Sequence, residues 1–298
     1  MHLTMDPCGL FCVSMVYAAL IYADYALSRW LILPTFVEGI WGPFHIVVFN
    51  TIVVMVVLSH SRTMLADPGI VPINKDTDMK SRRPQSLSYS DDSGSDNDIF
   101  LPQHNGLAED WSVCTRCESF RPPRAHHCRI CRRCIRRMDH HCPWVNNCVG
   151  EFNQRYFLQF LIYVAMCSAY SMLVIILSWV NHSDTGETGI HGPRGHNGHH
   201  LKVLHTIMLC IEALLFGMFV LAVSCDQLQA IFNDETAIES LQRRNRRSPR
   251  RNRAVSKISL LREVCGGGPI WSWFLPCTPS ISERDVVRYP SSPAHYDV

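Results

Sequence analysis

The chain has 298 residues and a formal net charge of +2, with 28 Lys and Arg against 26 Asp and Glu. This balance is too even to identify a partner, and the mean hydropathy near zero averages two opposite kinds of segment. Long apolar stretches with very little polar stripe alternate with strongly charged ones, which excludes a soluble bundle of helices.

Four stretches are long enough to cross a membrane, since roughly 20 apolar residues span the ~30 Å hydrocarbon core. They cover residues 9–33, 44–65, 156–180 and 203–223. The first is too long for a cleaved signal peptide and has no basic segment before it. The sequence predicts an all-α integral membrane protein, with helices one and two in 9–65 and helices three and four in 156–225.

The basic residues predict how these helices are oriented. Thirteen Lys and Arg lie in 66–155 and eleven in the tail 226–298, whereas 32–43 has none and 181–202 has two. Because cytoplasmic loops carry the excess of basic residues, we expect both termini and 66–155 in the cytosol, and 181–202 as a lumenal loop. A reducing cytosol disfavours disulfides.

A Cys/His module, residues 111–155, follows helix two. Seven cysteines and four histidines lie between Cys114 and Cys148. Two tetrahedral sites need eight ligands, so this number predicts two Zn²⁺ ions and leaves three residues for chemistry. A purely structural zinc module, such as a ubiquitin-ligase or docking finger, is the main alternative at this point.

Three residues of the module combine the side chains of a nucleophilic site. Cys142 supplies a thiol, His140 a base, and Asp139 an acid that can orient the base. The thiol lies only 14 residues before Tyr156, and therefore near the membrane surface. A substrate with an apolar tail and a polar head fits this position, and fatty acyl-CoA is such a substrate.

The charged segments that flank the helices lead to further predictions. Residues 74–110 are rich in Ser and Asp and are expected to form a disordered linker. The arginine-rich run 243–253 next to a membrane helix favours anionic lipids over nucleic acid. The apolar segment 265–277 is too short to span, and we expect it at the interface or against the module. Asp24 and Glu212 within apolar stretches leave a transporter as another alternative.

The string DHHCPWVNNCVG at 139–150 resembles the DHHC family of protein S-acyltransferases, the palmitoyltransferases. The order of helices and module is similar too, as is Asp67-Pro68-Gly69 after helix two. The resemblance covers roughly residues 5–280 and is strongest with the Golgi-specific subgroup. It implies a Golgi membrane protein, with the endoplasmic reticulum and plasma membrane as alternatives.

The resemblance also implies a role for each residue of the module. Cys142 becomes acylated, His140 is its base, Asp139 orients the base, and Trp144 covers the thioester end of the acyl chain. Two structural zinc ions are implied. Their ligands are Cys114, Cys117, His127 and Cys134 for one ion, and Cys128, Cys131, His141 and Cys148 for the other.

The implied reaction takes a long acyl group from palmitoyl-CoA to cytosolic cysteines of membrane-associated proteins. We expect Arg121 and Arg124 to be among the basic residues that meet the CoA phosphates. Along helix three, which rises 1.5 Å per residue, a sixteen-carbon chain about 20 Å long ends beside Cys167.

Two positions depart from the family pattern. The T-T-x-E motif reads Thr236-Ala237-Ile238-Glu239, without the second Thr, and Leu260 stands where the family usually has Asn. These departures bear on the packing of helix four and of the tail.

Overall fold

The computed structural model describes residues 6–37, 39–73, 99–100, 112–184, 196–246 and 255–276. The expected linker 74–110 lies outside the described residues except for 99–100. Of the arginine-rich run, only residues before 247 are described.

Four described helices are long and apolar enough to span a membrane, which confirms the predicted fold class. The first, α1 (Pro7–Ala26), continues through a π-helical segment (Leu27–Ile32) and a short last turn (Leu33–Thr35). The others are α2 (Trp41–Leu65), α3 (Gln154–Asp184) and α4 (His196–Phe232).

Each helix extends beyond the apolar stretch that predicts it. Helix α1 begins at Pro7 because the Asp6 carboxylate accepts the Gly9 N–H at 2.9 Å, and proline suits a first helical position. Helices α3 and α4 also continue into both ends of 181–202, so the loop between them is shorter than predicted. Hydropathy reports the part inside the hydrocarbon, whereas capping and backbone hydrogen bonds decide where a helix ends.

The helices pack with α3 between α2 and α4, and α1 packs against the turn that follows Cys142. Their shared core contains fully buried Leu27, Leu31, Phe49 and Val56. Large apolar side chains point outward, and Met218, for example, is 66% exposed. An outward-facing apolar surface of this extent suits a lipid environment.

The module consists of short antiparallel strands in three groups. Strands β1 (Ile99–Phe100), β2 (Ser112–Cys114) and β3 (Ser119–Arg121) form one sheet. The other two are hairpins, and their strands are β4 (His126–Cys128) with β5 (Arg133–Ile135), and β6 (His140–Cys142) with β7 (Asn147–Val149).

A tight turn after α2 fixes the module to the helices. The Asp67 carboxylate accepts the N–H groups of Gly69 and Ile70, both at 2.8 Å, and Gly69 has φ +104°. The Gly69 carbonyl then accepts the Arg136 N–H at 2.8 Å. Backbone positions with φ in this range favour glycine. The turn Asp67-Pro68-Gly69 therefore holds the chain in contact with the module.

The tail forms α5 (Ala237–Arg246), α6 (Lys257–Cys265) and a 3-10 turn (Ile270–Phe274). Side chains of α3 donate to three carbonyls of this turn, from Arg155 to Ser272, from Gln159 to Trp273 and from Tyr163 to Phe274. The described part of the apolar segment 265–277, residues 265–276, thus packs against a membrane helix, and Trp271 is left 66% exposed.

Candidate active site and metal centres

The eight predicted metal ligands form two clusters, and within each the ligand atoms lie within 4.8 Å of one another. The first contains Cys114, Cys117, His127 and Cys134, and the second contains Cys128, Cys131, His141 and Cys148. Three thiols and one imidazole per cluster are a donor set that suits a four-coordinate ion such as Zn²⁺. Each cluster could hold a metal ion.

The histidine geometry is that of a ligand in both clusters. The Nδ1 atom of His127 lies 3.2 Å from the Cys117 sulfur and 3.6 Å from that of Cys114. The Nδ1 atom of His141 lies 3.4 Å from the Cys131 sulfur and 3.6 Å from that of Cys148. Imidazole and thiol groups converge on one point in each case, as metal ligands do.

Strand alternation separates the two histidines of the hairpin β6–β7. His141 pairs with Cys148 across the strands, and both side chains belong to the second cluster. Because successive side chains of a strand point to opposite faces, His140 and Cys142 share the other face. The histidine of the metal cluster and the histidine beside the thiol are therefore adjacent in the sequence but lie on opposite faces of one strand.

Asp139 is buried and fully engaged through its carboxylate. It accepts the Nδ1–H of His140 at 2.8 Å, the Nε2–H of Gln227 at 2.7 Å and the backbone N–H of Ala237 at 2.7 Å. Burial raises the pKa of this carboxyl, but the three hydrogen bonds outweigh it and hold the pKa below its ordinary value. Asp139 is therefore ionised at neutral pH.

His140 lies between Asp139 and Cys142. Burial disfavours the charged ring, but hydrogen bonds with Asp139 and Cys142 outweigh it and raise the pKa of His140 to about 9. Since Nδ1 faces Asp139, Nε2 is the nitrogen left for the thiol. The ring also packs edge-on against Phe157, with centroids 5.4 Å apart. His140 can therefore hold the proton that leaves Cys142.

Below Cys142, which is 6% exposed, an apolar cavity of about 240 Å³ runs between the membrane helices. Trp144 lines it near the thiol, and Cys167 lines it further along α3. The Trp144 ring contacts Phe219 at 6.0 Å between centroids. The structure places Cys142, Trp144 and Cys167 around one cavity.

His60 of α2 positions the Trp144 backbone, and the sequence analysis did not identify it. Its Nε2–H donates to the Trp144 carbonyl at 3.0 Å, and its Nδ1 therefore accepts from the Tyr17 hydroxyl at 3.1 Å. A histidine within a stretch predicted to cross the membrane was the available signal.

Two asparagines of the module anchor it to the end of α2, and the sequence analysis assigned them no role. The Asn147 amide donates to the carbonyls of Thr63, Met64 and Ala66 at 3.0–3.1 Å. Asn153 donates to the Thr63 carbonyl of α2 at 3.3 Å and to the Cys148 carbonyl at 2.8 Å, and it accepts the Gly150 N–H at 2.9 Å. The last carbonyls of a helix lack partners within the helix, so these amides satisfy them and join the module to α2.

The two arginines predicted to bind CoA both have partners within the protein. Arg121 is 4% exposed and donates from Nε to the Ser112 hydroxyl at 2.6 Å. Arg124 donates from Nε to Glu239 at 2.6 Å and from Nη1 to Asp234 at 2.9 Å. These contacts support a structural role for both, and none of them supports CoA binding.

The motif that departs from the family pattern still forms a helix cap. The Thr236 N–H donates to Glu239 at 2.8 Å and the Glu239 N–H to the Thr236 hydroxyl at 3.3 Å, a capping box at the start of α5. At Ala237 the group that contacts the site is the backbone N–H, which every residue except proline supplies. Leu260 packs in the buried cluster with Leu158 and Ile231, so an apolar contact stands where the family usually has Asn.

Comparison with known proteins agrees with this site. Residues 108–244 match the family model for the DHHC palmitoyltransferase. Palmitoyltransferase ZDHHC7 of Mus musculus is 34% identical over 278 residues, which cover 91% of this chain and 79% of the relative. Palmitoyltransferase ZDHHC3 of Homo sapiens is 30% identical over 291 residues, which cover 95% of this chain and 86% of the relative. The chain therefore belongs to the DHHC palmitoyltransferase family and is a protein S-acyltransferase.

Proposed function

We propose that this S-acyltransferase moves a long-chain acyl group from acyl-CoA, with palmitoyl-CoA as the donor, to cysteines of membrane-associated proteins. The observation that carries the proposal is the linked set Asp139–His140–Cys142 at the opening of an apolar cavity between membrane helices. A docking module or a transporter would have no use for a thiol in this position.

The first half-reaction forms an acyl-enzyme at Cys142. His140 Nε2 holds the proton that has left the Cys142 thiol while Asp139 stabilises the charged ring, and the sulfur attacks the thioester carbonyl carbon of acyl-CoA. The bond between that carbon and the CoA sulfur breaks, and the CoA sulfur receives the proton from His140. The acyl chain lies in the cavity, and Trp144 covers its thioester end.

The second half-reaction repeats these steps with a substrate cysteine as the nucleophile. Its thiol proton passes to His140, its sulfur attacks the acyl-Cys142 carbonyl, and Cys142 leaves and regains a proton. One thioester replaces another in each half, so no further energy source is needed.

We assign Zn²⁺ to both Cys/His clusters, with a structural role. The donor sets supply four protein ligands each, which leaves no open position for a substrate. Bound metal would hold β4–β7 in place and so fix Asp139, His140 and Cys142 relative to the cavity.

We infer that both termini and the module face the cytosol and that the chain resides in the Golgi membrane. The concentration of Lys and Arg in 66–155 and 226–298 supports this orientation. The Golgi assignment is supported by the amino-acid sequence of residues 139–150. Anionic lipid headgroups are the partners we assign to the basic tail.

The test is labelling of the full-length protein with a palmitoyl-CoA analogue, followed by hydroxylamine. We expect Cys142→Ser to lose the hydroxylamine-sensitive label while it keeps two zinc ions per chain. The control is Cys225→Ser, an exposed cysteine of α4. Label that persists in Cys142→Ser would place the nucleophile elsewhere.

A further inference from the structure

The cavity below Cys142 is apolar over most of its length but not at its inner end. There the lining includes Glu212, from α4, and Ser168 and Ser171, from α3. Glu212 is the one carboxyl group among the described residues that line the cavity.

Glu212 has no hydrogen-bond or ion-pair partner within the part of the chain that the structure describes. It lies within electrostatic range of Tyr22 and Cys167, but the Tyr22 hydroxyl pairs with His205 Nδ1 at 3.1 Å. The Ser171 hydroxyl donates to the Cys167 carbonyl of its own helix at 2.9 Å. The Tyr22 and Ser171 hydroxyl groups are thus committed to other partners, and a carboxyl group amid hydrocarbon favours a polar partner.

The depth of Glu212 corresponds to the far end of a long acyl chain. Phe157 of α3 lies beside His140, and Val223 of α4 lines the same cavity. At 1.5 Å per residue, Cys167 lies about 15 Å from the level of Phe157, and Glu212 about 16 Å from that of Val223. An extended sixteen-carbon chain, about 20 Å long, places its last few carbons beside Glu212.

We propose that Glu212 is a specificity-determining residue that recognises the end of the acyl chain. It hydrogen-bonds to a hydroxyl group on the last carbons of the chain, so that long-chain hydroxyacyl-CoA is a substrate class of this enzyme. Plain hydrocarbon of the same length meets an unpaired carboxyl group there and gains less from burial. This inference rests on the acyl-enzyme formed at Cys142.

The experiment compares acyl-enzyme formation by the full-length protein with palmitoyl-CoA and with 16-hydroxypalmitoyl-CoA. Each rate is divided by the rate of the same variant with decanoyl-CoA, whose chain is too short to reach Glu212. We expect the wild-type protein to use the hydroxylated chain at least as well as palmitoyl-CoA. A wild-type preference for palmitoyl-CoA of about tenfold or more would overturn the proposal, since it is what a wholly apolar cavity gives.

Two variants of Glu212 test whether the carboxyl group causes this preference. Glu212→Leu should lower the ratio of hydroxylated to plain chain by about three- to tenfold, the range of one net hydrogen bond. Glu212→Gln retains a polar group and should change the ratio less. The control is Ile211→Leu, since Ile211 is 54% exposed on the outer face of α4.

A ratio in Glu212→Leu equal to that of the wild type would also overturn the proposal. The proposed function fails separately, because it predicts that Cys142→Ser loses the label with all three chains. If only the chain-end proposal fails, the ratios between chains differ from those expected, but the label still forms at Cys142.

Discussion

At the scale of single residues, His140 and His141 differ because a strand alternates its side chains. His141 faces Cys148 and the second cluster, whereas His140 faces Asp139 and Cys142. The sequence pointed to His140 as the base beside Cys142, and the family resemblance assigned His141 to the metal. The pairing of β6 with β7 supplies a physical reason for that division.

Substitution of each histidine should therefore have a different result. His140→Ala should retain two zinc ions per chain and slow acyl-enzyme formation by about 10²–10⁴-fold, the usual contribution of a general base. His141→Ala should lose one metal and the fold of the hairpin, because structural zinc supplies much of the folding energy of small modules. Metal analysis and the rate of acyl-enzyme formation measure both effects. The opposite pattern of metal loss would reverse the roles of the two residues.

At the scale of elements, the tail completes the site through the beginning of α5. Its first N–H donates to Asp139, and Glu239 and Asp234 bind Arg124 of the module. The positive end of a helix also favours a carboxylate. The tail thus orients the Asp139 carboxylate as well as covering the module.

A proline at Ala237 tests this contact with little other change. Proline is accepted at the first position of a helix, so Ala237→Pro removes the N–H donor and leaves α5 able to form. Loss of a hydrogen bond to a charged group costs about 1.5–3 kcal/mol, and we expect acyl-enzyme formation to fall about tenfold or more.

The matched control is Ala237→Thr, which keeps the N–H and restores the residue of the family pattern. It should stay near the wild-type rate, and both variants should keep their zinc. Equal losses in the two variants would show that the side chain, and not the N–H, matters at this position.

Helices and metal ligands were accessible from the sequence because their signals are local. Hydropathy identified all four membrane helices, and the Cys/His spacing indicated two metal sites. The link from Arg124 to Glu239 joins residues 115 positions apart, and the Gln227 contact with Asp139 joins residues 88 apart. No local pattern reports such pairs, so the sequence indicated neither the Glu239 partner of Arg124 nor the Gln227 partner of Asp139.

At the scale of the whole molecule, the cavity exists only when the helices and the module are assembled. Val56 of α2, Phe160 of α3, Phe216 of α4 and Val16 of α1 line it together with Cys142. Junction residues such as Asn147 and His60 therefore affect the reaction through the position of the module over this cavity. The length of chain that the enzyme accepts depends on the same assembly.

Cys167 lies where a long chain ends, so its side chain should limit chain length. It is 7% exposed and lines the cavity on α3. In Cys167→Phe, the larger side chain should exclude about two methylene groups, each worth ~0.8 kcal/mol of burial. We therefore expect the preference for palmitoyl-CoA over myristoyl-CoA to fall about tenfold.

Competition between the two acyl-CoA donors measures this ratio, with zinc content as the check on folding. The matched control is Cys210→Phe, a half-buried cysteine of α4 that is not among the described residues lining the cavity. It should retain the wild-type ratio, since its side chain does not reduce the space for the chain. An unchanged ratio in Cys167→Phe would place the floor of the cavity on another helix. Helix α1 would then be the next to test, because Ala23 lines the cavity about two turns below Val16.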